Sequence, residues 1–125
     1  MNVVDSSAWL EYFAGGANAG FFARAIEETD KLVVPTLSLY EVFKRVIQQK
    51  SEGDALQAAA VMSQGAVVEL DARLALDAAR VSVDYRLPMA DSVMLATAMA
   101  FDATLWTQDE HFRGLPGVRY RPLQI

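Results

Sequence analysis

Short apolar, β-branched runs alternate along this chain with longer stretches of helical periodicity. That alternation narrows the folds open to it more than any other feature. Residues 2–4, 31–34, 66–70, 103–107 and 118–120 read as strands. Helical patterns lie between them at 6–13, 19–29, 36–50, 51–63, 71–85 and 89–101, with a helical turn at 109–112. Gly15-Gly16 ends the first helix, Pro35 closes the second strand and Pro88 precedes the last helix. Leu39, Val42, Phe43, Val46 and Ile47 mark one face of the third helix. Strands alternating with helices predict right-handed crossovers and a parallel sheet covered on both faces. In open sheets of this kind ligands bind beyond the carboxyl ends of the strands.

The 125 residues suit a single domain spanning residues 1–125, and 53% hydrophobic residues are enough for a real core. The absence of cysteine excludes disulfide scaffolds and thiolate metal sites. No apolar run approaches the roughly 18 residues of a membrane helix, and Met1-Asn2-Val3-Val4-Asp5 lacks the features of a signal peptide. The expectation is a soluble, cytoplasmic protein. Eleven basic residues against 16 acidic ones give a net charge of −5, which argues against a general polyanion binder. It does not argue against a site in which carboxylates hold cations, because the bound cations reverse the local field. A mean hydropathy of +0.16 suggests that a partner or a second copy covers some apolar surface.

Four acids fall where the expected functional edge should be. Asp5 directly follows Val3-Val4, and Asp109 follows the fourth strand by two residues. Glu41 lies a turn and a half into the third helix, roughly opposite Leu39, Val42 and Val46, so that helix's own core does not account for it. Asp91 opens the helix after Pro88. Converging carboxylates repel one another. Mg²⁺ or Mn²⁺, which prefer hard oxygen ligands, would relieve the repulsion, activate water and clamp the oxygens of a phosphodiester. Signatures of other chemistries are missing: one His, no Cys, no phosphate loop and no nucleophile elbow. Simpler roles also fit. Asp5, Asp91 and Asp109 could cap helices, and Glu41 with Arg45 forms an i, i+4 pair. Asp71 also follows a strand and opens a helix, so position alone does not choose the members.

A resemblance chooses them. Val3-Val4-Asp5-Ser6-Ser7, then Thr36-Leu37-Ser38-Leu39-Tyr40-Glu41-Val42, then Pro88-Met89-Ala90-Asp91-Ser92-Val93-Met94-Leu95-Ala96-Thr97-Ala98, then Leu105-Trp106-Thr107-Gln108-Asp109-Glu110-His111-Phe112 resemble, in order and spacing, the PIN domains of VapC-type toxins. The resemblance implies a three-layer α/β/α domain with a central, mainly parallel sheet. It makes Asp5, Glu41, Asp91 and Asp109 an acidic catalytic and metal-binding quartet. Ser6 and Thr107 match small hydroxyl positions that help hold the metal site or its water. It further implies Mg²⁺ or Mn²⁺, metal-dependent cleavage of single-stranded RNA, a place as the toxin of a type II toxin–antitoxin module, a homodimer, and a small antitoxin that blocks the site. The alternative from another class is a catalytically idle PIN scaffold that binds a protein partner or RNA.

The remaining features have plainer readings. Trp9, Tyr12 and Phe13 suit core or dimer packing. Lys44, Arg45, Lys50, Arg73, Arg80 and Arg86 suit solvated faces. Met89, Met94 and Met99 read as core, and His111, in a short helical turn, as structural.

Overall fold

The computed structural model describes residues 1–124. Five parallel strands, β1 (Asn2–Val4), β2 (Leu32–Pro35), β3 (Ala66–Val68), β4 (Thr104–Thr107) and β5 (Val118–Tyr120), form one sheet in the order β3-β2-β1-β4-β5. Helices α1 (Ser6–Ala14) and α2 (Ala19–Glu27) connect β1 to β2, and α3 (Thr36–Gln49) and α4 (Glu52–Met62) connect β2 to β3. Helices α5 (Ala72–Tyr85) and α6 (Met89–Ala100) then carry the chain back across the sheet to β4. The strand order therefore reverses between β1 and β4, and the crevice that such a reversal opens lies beyond their carboxyl ends.

Alternation along each strand builds two cores. Val3, Val33 and Leu105 face α5 and α6 and pack with Leu74, Ala78 and Met94. Val4 and Val34 face the other way, toward Trp9, Phe22, Val42 and Met62 of α1 to α4. The expected α/β/α layering follows from this two-sided burial. Helix α6 is the most enclosed, buried continuously from Ser92 to Ala98.

Several local details differ from the sequence reading. The second helix stops at Glu27, and Thr29–Lys31 forms a 3-10 turn leading into β2. Strand β3 ends at Val68, and Ala66 and Val67 are exposed because β3 is the outermost strand on its side. Met94 is core, but Met89 and Met99 are 74% and 45% exposed, since both lie beyond the enclosed stretch of α6. On α3, Val42 and Val46 are buried and Ile47 is exposed. Ser38 is fully buried and donates to the Met94 sulfur at 3.1 Å.

Gly65 permits the close approach of the turn before β3 to β2. A Cβ there would lie 2.9 Å from the Leu32 carbonyl oxygen and 2.9 Å from its Cγ. Gly53, in the first turn of α4, has only the Ser51 hydroxyl nearby, at 3.8 Å. In urea unfolding, Gly65→Ala is expected to cost about 1–3 kcal/mol, whereas Gly53→Ala gains up to about 1 kcal/mol from helix propensity. Equal effects would contradict the packing described.

Candidate active site

Asp5 leaves β1 at the N-cap position of α1, yet its side chain caps nothing. Its Oδ2 accepts from the Ser7 hydroxyl at 2.7 Å and the Thr107 hydroxyl at 2.9 Å. Among the described residues its Oδ1 accepts no hydrogen bond and no Lys or Arg pairs with it. The residue is only 4% exposed. Burial pushes its carboxyl up to about 6; the two hydroxyls oppose the shift, and the charges of Asp91 and Asp109 add to it.

The other acids approach from three further elements. Asp109 sits just past β4 and caps the 3-10 turn Glu110–Phe112, accepting from the His111 amide at 2.9 Å. Its own amide donates to the Thr107 hydroxyl at 2.9 Å. Phe112, fully buried, pins the turn into the core. Asp91 lies in the first turn of α6, where Pro88 fixes the entry and free backbone N–H groups favour negative charge. Burial raises its carboxyl; the His111 hydrogen bond lowers it, and Asp109 and Glu41 raise it. Glu41 projects from α3, and its Oε1 accepts from the Ser6 hydroxyl at 2.7 Å. It makes no ion pair with Arg45 among the described residues, so the i, i+4 pairing weighed from the sequence is not formed.

All four acids are thus placed at one edge, three of them within mutual electrostatic reach of Asp91. Asp71 is elsewhere and does what its position suggests, capping α5 by accepting from the Leu74 amide at 2.8 Å. Thr107 touches Asp5 as expected, whereas Ser6 serves Glu41 and it is Ser7 that serves Asp5. The adjacent hydroxyls of Ser6-Ser7 were the sequence signal; with the helix starting at Ser6, successive side chains point to different acids.

His111 was set aside as structural, but its Nδ1 lies 2.7 Å from Asp91 Oδ2 and 3.4 Å from Asp109 Oδ1. One atom each from Asp91, Asp109 and His111 falls within 4.8 Å of the others. The hydrogen bond to Asp91 is the main cause raising the imidazole above its usual range, with Asp109 adding to it. Its two-residue distance from Asp109 was the available signal.

The donor set suits a small, hard divalent cation. It is carboxylate oxygen dominated, electrostatically crowded, and contains a buried carboxylate oxygen without a protein donor.

The profile of the PIN domain matches residues 3–118. The chain belongs to the PIN domain family. The same fold occurs in a "toxin-antitoxin complex from Klebsiella pneumoniae", at a TM-score of 0.80 and 22% identity over 100% of both chains. It occurs in Mycobacterium tuberculosis VapC20, described as a "Sarcin-Ricin loop cleaving toxin", at 0.79 and 21% over 98% of this chain and 100% of that one. It also occurs in DNA-bound VapBC from Salmonella typhimurium, at 0.74 and 13% over 97% and 96%. No curated protein sequence matches the chain significantly. In this PIN domain, as in the expectation from sequence, the sheet is wholly parallel and flanked on both faces.

The metal-free PIN domain should carry the cost of its buried acid. Folded Asp5 keeps its proton to a higher pH than unfolded Asp5, so its own contribution to stability falls as pH rises from about 4 to about 6 and is constant above that. The raised Asp91 and His111 act in the same sense, because the folded chain again binds more protons. A rise from 3.8 to about 6 corresponds to about 3 kcal/mol. In EDTA, Asp5→Asn is expected to stabilise the protein at pH 7 by up to that amount and to flatten its pH dependence; urea unfolding at pH 4 to 8 checks both. An Asn variant with the wild-type pH slope would refute the burial argument.

Proposed function

We propose that this chain is a divalent-metal-dependent endoribonuclease and the toxin component of a toxin–antitoxin pair. The observation that carries the reading is the meeting of Asp5, Glu41, Asp91 and Asp109 at the sheet's reversal point with no Lys or Arg to neutralise them among the described residues. Structural proteins rarely assemble buried like charges without a counter-ion, and perturbed carboxylates in a crevice mark chemistry. Membership of the PIN family and the printed descriptions of the toxin structures support the same reading.

Asp5, Asp91 and Asp109 would hold Mg²⁺ or Mn²⁺. When bound, the cation lowers the pKa of water and offsets the charge that builds on the phosphate. Asp5 presents Oδ1 because Ser7 and Thr107 both engage Oδ2. Glu41, turned by Ser6 through Oε1, keeps Oε2 to accept a proton from the attacking water. Water adds to phosphorus as it gives its proton to Glu41, the bond to the leaving ribose oxygen breaks, and that oxygen takes up a proton from solvent. No helix among the described residues is long and apolar enough to cross a membrane.

An antitoxin partner fits the apolar grooves beside the site's scaffold. Leu10, Phe13, Val46, Ala58 and Val61 line one between α1, α3 and α4, and Leu39, Phe43, Ile47 and Ala59 line another between α3 and α4. Both suit an amphipathic segment, which could also send an Arg into the acidic edge. Exposed Leu76, Val83, Met89 and Met99 on α5 and α6 offer apolar surface for a homodimer.

Purified protein should cut a pool of cellular RNA into discrete fragments with Mg²⁺ or Mn²⁺. Cleavage should vanish in EDTA and fall at least about a hundredfold in Asp91→Asn. A folded, metal-binding protein that leaves RNA intact would sink the reading. Ser7→Ala, which removes a hydrogen bond favouring ionised Asp5, is expected to cost about 10–100-fold in rate. Its metal-binding midpoint should also move to higher pH; calorimetric titration across pH 5 to 8 checks this.

A further inference from the structure

Two arginines are held in a manner that the acidic site does not use. Arg119, in β5, lies with its guanidinium 5.2 Å from the centroid of the Trp106 indole. Arg121, two residues on and therefore on the same side of the extended chain, lies 5.0 Å from the Phe21 ring. Phe21 and Trp106 are themselves packed at 5.3 Å. The result is a row of alternating contacts, Arg119 on Trp106, Trp106 on Phe21, Phe21 on Arg121. Both arginines are exposed, and among the described residues neither is paired with a carboxylate.

That arrangement leaves the useful part of each guanidinium unspent. An arginine held over a ring spends none of its N–H donors on a carboxylate, so they stay available to a ligand while the ring limits where the group can swing. Such donors match the oxygens of a phosphate. The row is also tied to the acidic edge through hydrogen bonds. The Arg121 amide donates to the Thr107 carbonyl at 3.0 Å, and the Thr107 hydroxyl donates to Asp5. The side-chain amide of Asn18, 1% exposed, donates to Gln108 Oε1 at 3.1 Å and to the Pro122 carbonyl at 2.9 Å. Gln108 in turn donates from its backbone to the Ser7 hydroxyl, which holds Asp5. The segment carrying the arginines is thereby fixed beside the strand that carries the site.

We propose that Arg119 and Arg121 form a clamp for two phosphates of a single-stranded RNA, outside the scissile one, on the β5 side of the acidic edge. Residues two apart in an extended strand leave the same side of the chain with their Cα atoms about 7 Å apart, and the two rings, Trp106 and Phe21, lie between the two cations in the row of contacts, so each arginine can meet a different phosphate of one extended strand. A net charge of −5 gives a polyanion no overall attraction to this chain, so a local, preorganised pair of cations is what lets the strand approach the carboxylates. The clamp reads charge and spacing, not base identity. It rests on the nuclease reading, but it is tested by equilibrium binding, so absence of cleavage and absence of the clamp give different results.

The test uses the full chain in the Asp91→Asn background with Mg²⁺ present and a fluorescein-labelled 12-nucleotide single-stranded RNA of mixed sequence. Anisotropy titrations from 50 to 200 mM NaCl give the slope of log affinity against log salt. Arg119→Met and Arg121→Met keep an apolar side chain over the ring and remove the charge, so the packing role survives. Each is expected to weaken binding several-fold and to reduce the slope by about 0.7, while Arg→Lys at either position keeps the slope. Single-stranded DNA of the same sequence should show the same slope change. Unchanged slope and affinity in both Met variants, with melting temperatures like the parent's, would overturn the clamp. A change confined to RNA would overturn its assignment to phosphate.

Discussion

The structure of the acidic edge depends on one unfavourable interaction: a carboxylate, Asp5, buried just past the end of the central strand β1, with other carboxylates around it and, among the described residues, no basic side chain paired with it. Folding tolerates it because the rest of the domain is arranged to hold it. The flanking strands β1 and β4 have their hydrophobic residues enclosed on both faces. Two hydroxyls accept the task of satisfying one oxygen. The crowding also makes the edge suited to a cation, since a bound ion would convert repulsion among several acids into attraction for each. Stability and the proposed function pull against each other at this residue.

Each acid is delivered by a different device. Asp5 and Asp109 are fixed by parallel strands that end side by side, Asp91 by the first turn of the most enclosed helix, and Glu41 by a helix whose opposite face packs on the sheet. Because these elements belong to both layers, the edge forms only when the whole sandwich has assembled. The 3-10 turn after β4 adds the imidazole of His111 to the same cluster, anchored by the neighbouring Phe112. A lone histidine with no partner in sequence carried little signal; its meeting with Asp91, 20 residues earlier in the chain, is a product of the tertiary fold.

Much of this was legible in the order of residues. Two adjacent valines before Asp5, and the run of small and apolar residues after Asp91, specify a buried strand and a buried helix in almost any context. What period and spacing could not do was separate Asp71 from Asp109. Both follow a strand and both cap a helical element; in the structure the strand order separates them, with β3 at the margin and β4 beside the central β1. The assignment of hydroxyls was similarly limited. Ser6 and Ser7 are interchangeable in composition, and a rotation of one helical residue determines which acid each one meets. Met89 and Met99 misled for a related reason, since an apolar side chain at the end of a buried helix need not share the burial of its middle.

The hydroxyl of Thr107 has one more consequence. It donates to Asp5 and accepts from the amide of Asp109, so a single oxygen couples the two strand-borne acids. They cannot be adjusted separately: a shift in one is passed to the other through two hydrogen bonds of 2.9 Å. The edge is therefore a braced frame: the two strand-borne acids are locked to one oxygen, and Glu41 and Asp91 are braced to their neighbours by Ser6 and His111.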